Sequence, residues 1–162
     1  MSASMLMWSG TGDNYRDTSA FGTGALMPLP QGVWLSSKFT ASELSNAAIS
    51  GNTADPDKDG INNLLEYAYG MEPKISSTVG VPVSEIQNVG GADYLTITYR
   101  RNRAATDVIY GVQVSSDLQT WTTHVTELSV TDNGDGTDKV VVRDNIPVSS
   151  ATNRFIRVQV TQ

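Results

Sequence analysis

Residues 94–114 read YLTITYRRNRAATDVIYGVQV, and the period of this stretch decides the fold. Leu95, Ile97 and Tyr99 alternate with Thr96, Thr98 and Arg100, and after a polar break Val108, Tyr110, Val112 and Val114 alternate in the same way. A period of two belongs to a strand with one face turned inward. The residues involved are mainly β-branched or aromatic, the types that suit a pleated, half-buried surface.

Working outward, Ile156, Val158 and Val160 repeat the alternation at the end of the chain. Strand candidates at 121–130 and 138–143 flank DNGDGT (132–137), whose Asn-Gly and Asp-Gly pairs favour tight turns. Five or six short strands so closely spaced predict an antiparallel β-sandwich over residues 81–162. Residues 1–33, rich in Gly, Ser and Thr, read as an irregular leader. Between the two, Thr40 and Glu43 form a capping box that predicts a short helix near 41–48. A second helix is expected near 62–69, stopped by Gly70 and sealed by Pro73. Residues 34–80 are too few to build their own core, so this helical segment is expected to pack on the sandwich.

The chain has 162 residues and a formal charge of −6. That balance disfavours capture of nucleic acid or an anionic membrane and favours a neutral ligand or a cation. There is no cysteine, which excludes disulfides and thiolate metal sites. No stretch approaches the ~20 apolar residues of a membrane span. Met5, Leu6, Met7 and Trp8 lack a basic flank and a cleavage signature, so the start reads as that of an excised piece rather than a signal peptide.

Residues 55–66, DPDKDGINNLLE, carry the most specific chemistry. Calcium takes six to eight oxygen ligands, and a twelve-residue loop can supply them from positions 1, 3, 5, 7, 9 and 12 around a glycine at position 6. Those positions hold Asp55, Asp57, Asp59, Ile61 (through its carbonyl), Asn63 (through water) and Glu66, with Gly60 at the turn. Position 8, apolar where two such loops pair, is Asn62, and Gly51 to Ala54 separate the loop from any preceding helix. A solitary structural loop is therefore expected. A catalytic metal is not: the loop has no histidine, and calcium activates water poorly beside zinc.

The remaining candidates are weaker. His124 is the single histidine and has no nucleophile or carboxylate in motif spacing, so it reads as structural and the chain as non-catalytic. Asp132, Asp135 and Asp138 could form a second cation site, but the turn reading is preferred. RRNR (100–103) reads as a charged strand edge that resists strand addition. Trp8, Trp34 and Tyr94 fall outside clear core positions and are candidate platforms for a sugar ring. Trp121, at a strand start, is expected to pack in the core and stands as a fourth ligand candidate.

Residues 34–162, through FTASELSNAAISGNTADPDKDGINNLLEYAYGMEP, the 94–123 stretch, DNGDGTDKVVVRD and RFIRVQV, resemble the C-terminal accessory module of large secreted proteins from verrucomicrobial and planctomycete-type bacteria. The acidic loop resembles that of dockerins and thrombospondin repeats, and the strands are similar to β-sandwich carbohydrate-binding modules attached to cellulases. The resemblance implies export and fusion to a larger enzyme such as a glycoside hydrolase. It also suggests, as a partner, a plant β-glucan of the cellulose or xyloglucan kind. The other implied role is a structural or sorting module with no ligand beyond calcium.

Overall fold

The computed structural model describes residues 30–162 and, upstream, the backbone of β1 (Tyr15–Asp17) and β2 (Leu26–Pro28), which pair antiparallel. Four helices follow: α1 (Pro30–Lys38), α2 (Ala41–Leu44), α3 (Ala47–Ser50) and α4 (Asn63–Tyr69). The rest of the chain is β3 (Val83–Val89), β4 (Ala92–Asn102), β5 (Ile109–Ser115), β6 (Val125–Asp132), β7 (Thr137–Pro147) and β8 (Phe155–Thr161). The protein is mainly β, and its sheets are antiparallel. Strands β3-β4-β7-β6 form one sheet and β5-β8 another.

Burial explains the strand order. Ile97 and Tyr99 of β4 and Val140 and Val142 of β7 are all buried, as central strands require, whereas β3 and β6 are exposed along most of their length. These four side chains meet Val112 of β5 and Tyr67, Ala68 and Tyr69 of α4 in one apolar cluster, with Ile156, Val158 and Val160 of β8 against it. Fully burying a side chain of this size contributes about 1.5–3 kcal/mol, so this cluster is the main source of stability. Thr96 departs from its expected outward place: it is fully buried, and its hydroxyl donates to the Glu85 carbonyl at 3.1 Å. A register shift between Tyr94 and Thr96 in the pairing with β7 accompanies this change.

The helical segment differs from the expected one in two places. Helix α1 crosses the boundary drawn at residue 33. Its signal was Pro30, which pre-sets the first helical φ, but Gly32 and the Ser36-Ser37 pair mask the helical character. The helix expected near 41–48 is split, because Asn46 caps a new start by accepting from the Ala48 amide at 3.0 Å. The capping box itself is present: Thr40 N donates to Glu43 Oε2 and Glu43 N to Thr40 Oγ1.

Candidate functional site

The acidic loop is organised by its own side chains. Asp55 Oδ1 accepts from the Lys58 amide at 2.8 Å and Oδ2 from the Gly60 amide at 2.9 Å, which wraps the backbone around the first aspartate. Asp59 Oδ1 accepts from Ile61 N and its Oδ2 from Ser77 N, both at 2.9 Å, tying the loop to the segment before β3. Gly60 turns the chain at φ +92°, and an added Cβ would meet nothing within 4 Å, so the requirement there is conformational and not steric. Ile61 buries its side chain in the apolar cluster, anchoring the loop from the inside.

Position 8 has a local explanation. Asn62 is the N-cap of α4, and its side chain accepts from Leu65 N at 3.1 Å. At the other end Gly70 closes the helix in the left-handed region at φ +68°, and an added Cβ would meet Thr137 Cγ2 at 2.8 Å. The helix is thereby fixed at both ends, and its first turn holds Glu66.

Oxygen atoms of Asp55, Asp57 and Asp59 lie within 4.8 Å of one another, a cluster that can hold a metal ion. Glu66 is fully buried, yet both of its carboxylate oxygens lack a hydrogen-bond partner, as does Asp57 Oδ2. Burial first, and then the neighbouring charges of Asp57, Asp59 and Asp55, push the Glu66 carboxyl up to about 7. Asp57 is also raised, first by burial. A buried carboxylate without a donor costs several kcal/mol unless a cation or proton compensates it. The residues present therefore fit a bound cation. An all-oxygen donor set suits a hard ion and offers no soft ligand.

Asn63, the expected water-bridged ligand, is engaged through its amide nitrogen. It is fully buried, and its Nδ2 donates to the carbonyls of Ile49 and Gly51, each at 2.9 Å, pinning α3 to the start of α4. Its Oδ1 has no hydrogen-bond partner.

The other candidates disperse. Asp132, Asp135 and Asp138 are taken by the basic cluster: Arg100 bonds Asp135, Arg101 bonds Asp138, and Arg103 bonds both Asp132 and Asp138. The β6–β7 turn and RRNR thus neutralise each other across the end of the sheet. Trp34 is not an open platform. It packs against Tyr67 with centroids 5.3 Å apart and against Phe39 edge-on. Tyr94 is half-buried, with the Arg143 guanidinium 4.3 Å from its ring centroid. Trp8 lies outside the described residues. His124 is exposed.

Trp121 is a correction to the core expectation. It precedes β6 and is only partly buried, its Nε1 donates to the Leu118 carbonyl at 3.2 Å, and Arg157 lies over its ring at 3.9 Å. Sequence reading also passed over Asp107, Gln113 and Arg157. Their roles depend on pairing across the fold, and nothing in the spacing of neighbouring residues marks them.

Fold and loop together define a mainly β protein with an acidic site able to hold a metal ion. Among known proteins, no family model, no curated protein and no solved structure matches this chain.

Proposed function

We propose that this protein is a non-catalytic, calcium-stabilised β-sandwich module that attaches a secreted polysaccharide-degrading enzyme to a neutral β-glucan. In this reading the two sheets are the layers of the sandwich, and the metal is structural. The observation that carries the metal part is the fully buried Glu66, both oxygens unpartnered and within reach of the charges of the clustered Asp55, Asp57 and Asp59. Asp55, Asp57, Asp59 and Glu66 would hold the ion with the Ile61 carbonyl, and calcium would supply charge compensation and no chemistry. The loop and α4 would then be clamped to the sheets.

The polysaccharide part is supported by a partly buried indole outside the apolar cluster on the β5 side of the molecule, next to polar side chains suited to hydroxyl groups. Affinity electrophoresis through gels containing soluble glucans, xylans or mannans, with calcium or EDTA, tests it. Retardation by a β-glucan is the expected result. A protein that melts higher with calcium but is retarded by no polymer would instead be a structural or sorting module. The packing of Trp34 against Tyr67 and Phe39 favours that second reading, because it engages one of the aromatics suggested by sequence.

A further inference from the structure

We infer that the sugar-binding surface is the outward face of the β5–β8 sheet, built around Trp121, Arg157 and Gln113, with Phe155 at its edge. This rests on the polysaccharide reading above and gives it a location.

The face follows from register. Gln113 pairs with Arg157 and Ser115 with Phe155, while Thr122 bridges to Val114 on the other edge of β5. Val114 is fully buried, so its strand neighbour Gln113 points to the opposite face of the sheet. Arg157 crosses Gln113, donating from Nε and Nη2 to Gln113 Oε1 at 3.0 and 2.8 Å, and ends over Trp121. Indole, guanidinium and amide thus form one continuous surface. Gly111, next along β5, leaves bare backbone beside it, with only the Gln159 carbonyl 3.9 Å from a would-be Cβ.

Two features of this face serve no evident folding purpose. Leu118 is 56% exposed and holds φ at +62°, a conformation that costs a non-glycine residue on the order of 1 kcal/mol. The turn is nevertheless tightly built: Ser115 Oγ accepts from Leu118 N at 2.9 Å, and Asp117 Oδ1 accepts from Gln119 N and Thr120 N at 2.9 and 2.7 Å. Its effect is to bring the Leu118 carbonyl to the indole N–H and fix the ring in place. The second feature is Arg157 itself. Among the described residues, Arg100, Arg101, Arg103 and Arg154 all pair with carboxylates, whereas Arg157, like Arg143 over Tyr94, lies over an aromatic ring, and it alone of these two spends its other donors on a side-chain amide. The Leu118 conformation is a cost to stability and the Arg157 contacts hold the indole in place, and together they make sense as preorganisation of a binding surface.

The occupant is a short stretch of neutral β-linked glucan. A face that sets an indole edge and its covering guanidinium beside a side-chain amide matches a sugar, which has C–H faces and a hydroxyl rim. The Asp117 carboxylate in the same turn and the net charge of −6 both oppose a polyanion.

The test is affinity electrophoresis of the whole chain, calcium-loaded, in gels containing hydroxyethyl cellulose, xyloglucan or polygalacturonate. Wild type is expected to be retarded by one of the neutral polymers. Trp121→Ala should weaken that binding roughly ten- to a hundredfold, and Arg157→Gln should weaken it as well. Tyr94→Ala, on a different sheet, should bind like wild type. A melt on each variant shows whether it is folded, and Trp121→Phe with Phe155→Ala replaces Trp121→Ala if that variant is not. Folded Trp121 and Arg157 variants retarded like wild type would overturn this location while leaving the polysaccharide reading intact. Retardation by polygalacturonate alone would overturn the neutral ligand, and no retardation of wild type by any polymer would overturn both readings.

Discussion

The Tyr67 hydroxyl donates to Asp107 Oδ1 at 2.6 Å, joining the residue that follows Glu66 on α4 to the segment entering β5. Asp107 also accepts from the Gln31 amide at the start of α1 and, through Oδ2, from Gln162 Nε2 at the chain end. One carboxylate therefore gathers α1, α4 and the C-terminus. The bond also holds the Tyr67 phenol far above its usual range, after the larger effect of burial. Because Glu66 and Tyr67 are adjacent, a cation on the loop and the Asp107 hub would fix the same helix from two sides.

Tyr67→Phe should lower stability by about 1.5–3 kcal/mol, the range for a hydrogen bond to a charged acceptor. Urea unfolding with an unchanged slope would measure it. A variant as stable as wild type would mean that water replaces the phenol at Asp107.

Calcium should raise the melting temperature and EDTA should lower it. A ligand that binds only the folded state at a hundredfold excess over its dissociation constant stabilises by about 2.7 kcal/mol. Scanning calorimetry in both conditions checks this, and superimposable melts would remove the cation from the loop.

Glu66→Gln should split the two conditions. In EDTA it replaces a buried, unpartnered carboxylate by a neutral amide, so the variant should be more stable than wild type. With calcium it should be less stable, because the loop loses its charged twelfth ligand. Asn63→Ala, by contrast, should destabilise in both conditions by about 1–3 kcal/mol, since two buried carbonyls lose their donor. Equal effects of Glu66→Gln in calcium and EDTA would show that no cation reaches it.

On the acid side, Glu43 should govern part of the stability profile. Lys74 hydrogen-bonded to its carboxylate, and then the Thr40 amide, hold it at about 2 instead of the ordinary 4.5. A depressed native value means that the unfolded chain takes up the proton first. The contribution is therefore complete above about 4.5 and lost as pH falls towards 2. Urea midpoints between pH 5 and 2 should decline less steeply for Glu43→Gln than for wild type.

The tryptophans should rank in the reverse of their apparent order in the sequence. Trp34→Ala removes a ring packed on Tyr67 and Phe39 and should cost about 2–4 kcal/mol, near the range for buried aromatics. Trp121→Ala should cost less, about 1–2 kcal/mol, as for a partly buried ring outside the apolar cluster with one hydrogen bond and one cation–π contact. Thermal melts of the two variants side by side would show the ranking.

What the sequence determined by itself was everything set by neighbours along the chain. The alternation in 94–114 fixed strand and face for Ile97, Tyr99, Val112 and Val114, because pleating has a period of two. The spacing of Asp55, Asp57 and Asp59 was enough to bring their oxygens together, because a twelve-residue loop with a glycine turn closes on itself. Thr40, Glu43 and Gly70 announced their caps for the same local reason.

The tertiary structure alone decided what long-range pairing controls. It placed Asp132, Asp135 and Asp138 against three arginines some thirty residues away, which turned a possible second cation site into ion pairs. It set Trp34 of α1 against the apolar cluster and Trp121 outside it under Arg157, both partly buried, in stretches whose sequence carries no period that reports burial. It also sealed Glu66 with no protein donor in reach. Spacing could nominate that glutamate as a ligand. Only the packing of α4 against the sheets, by removing water from its carboxylate, creates the need for a cation or a proton there.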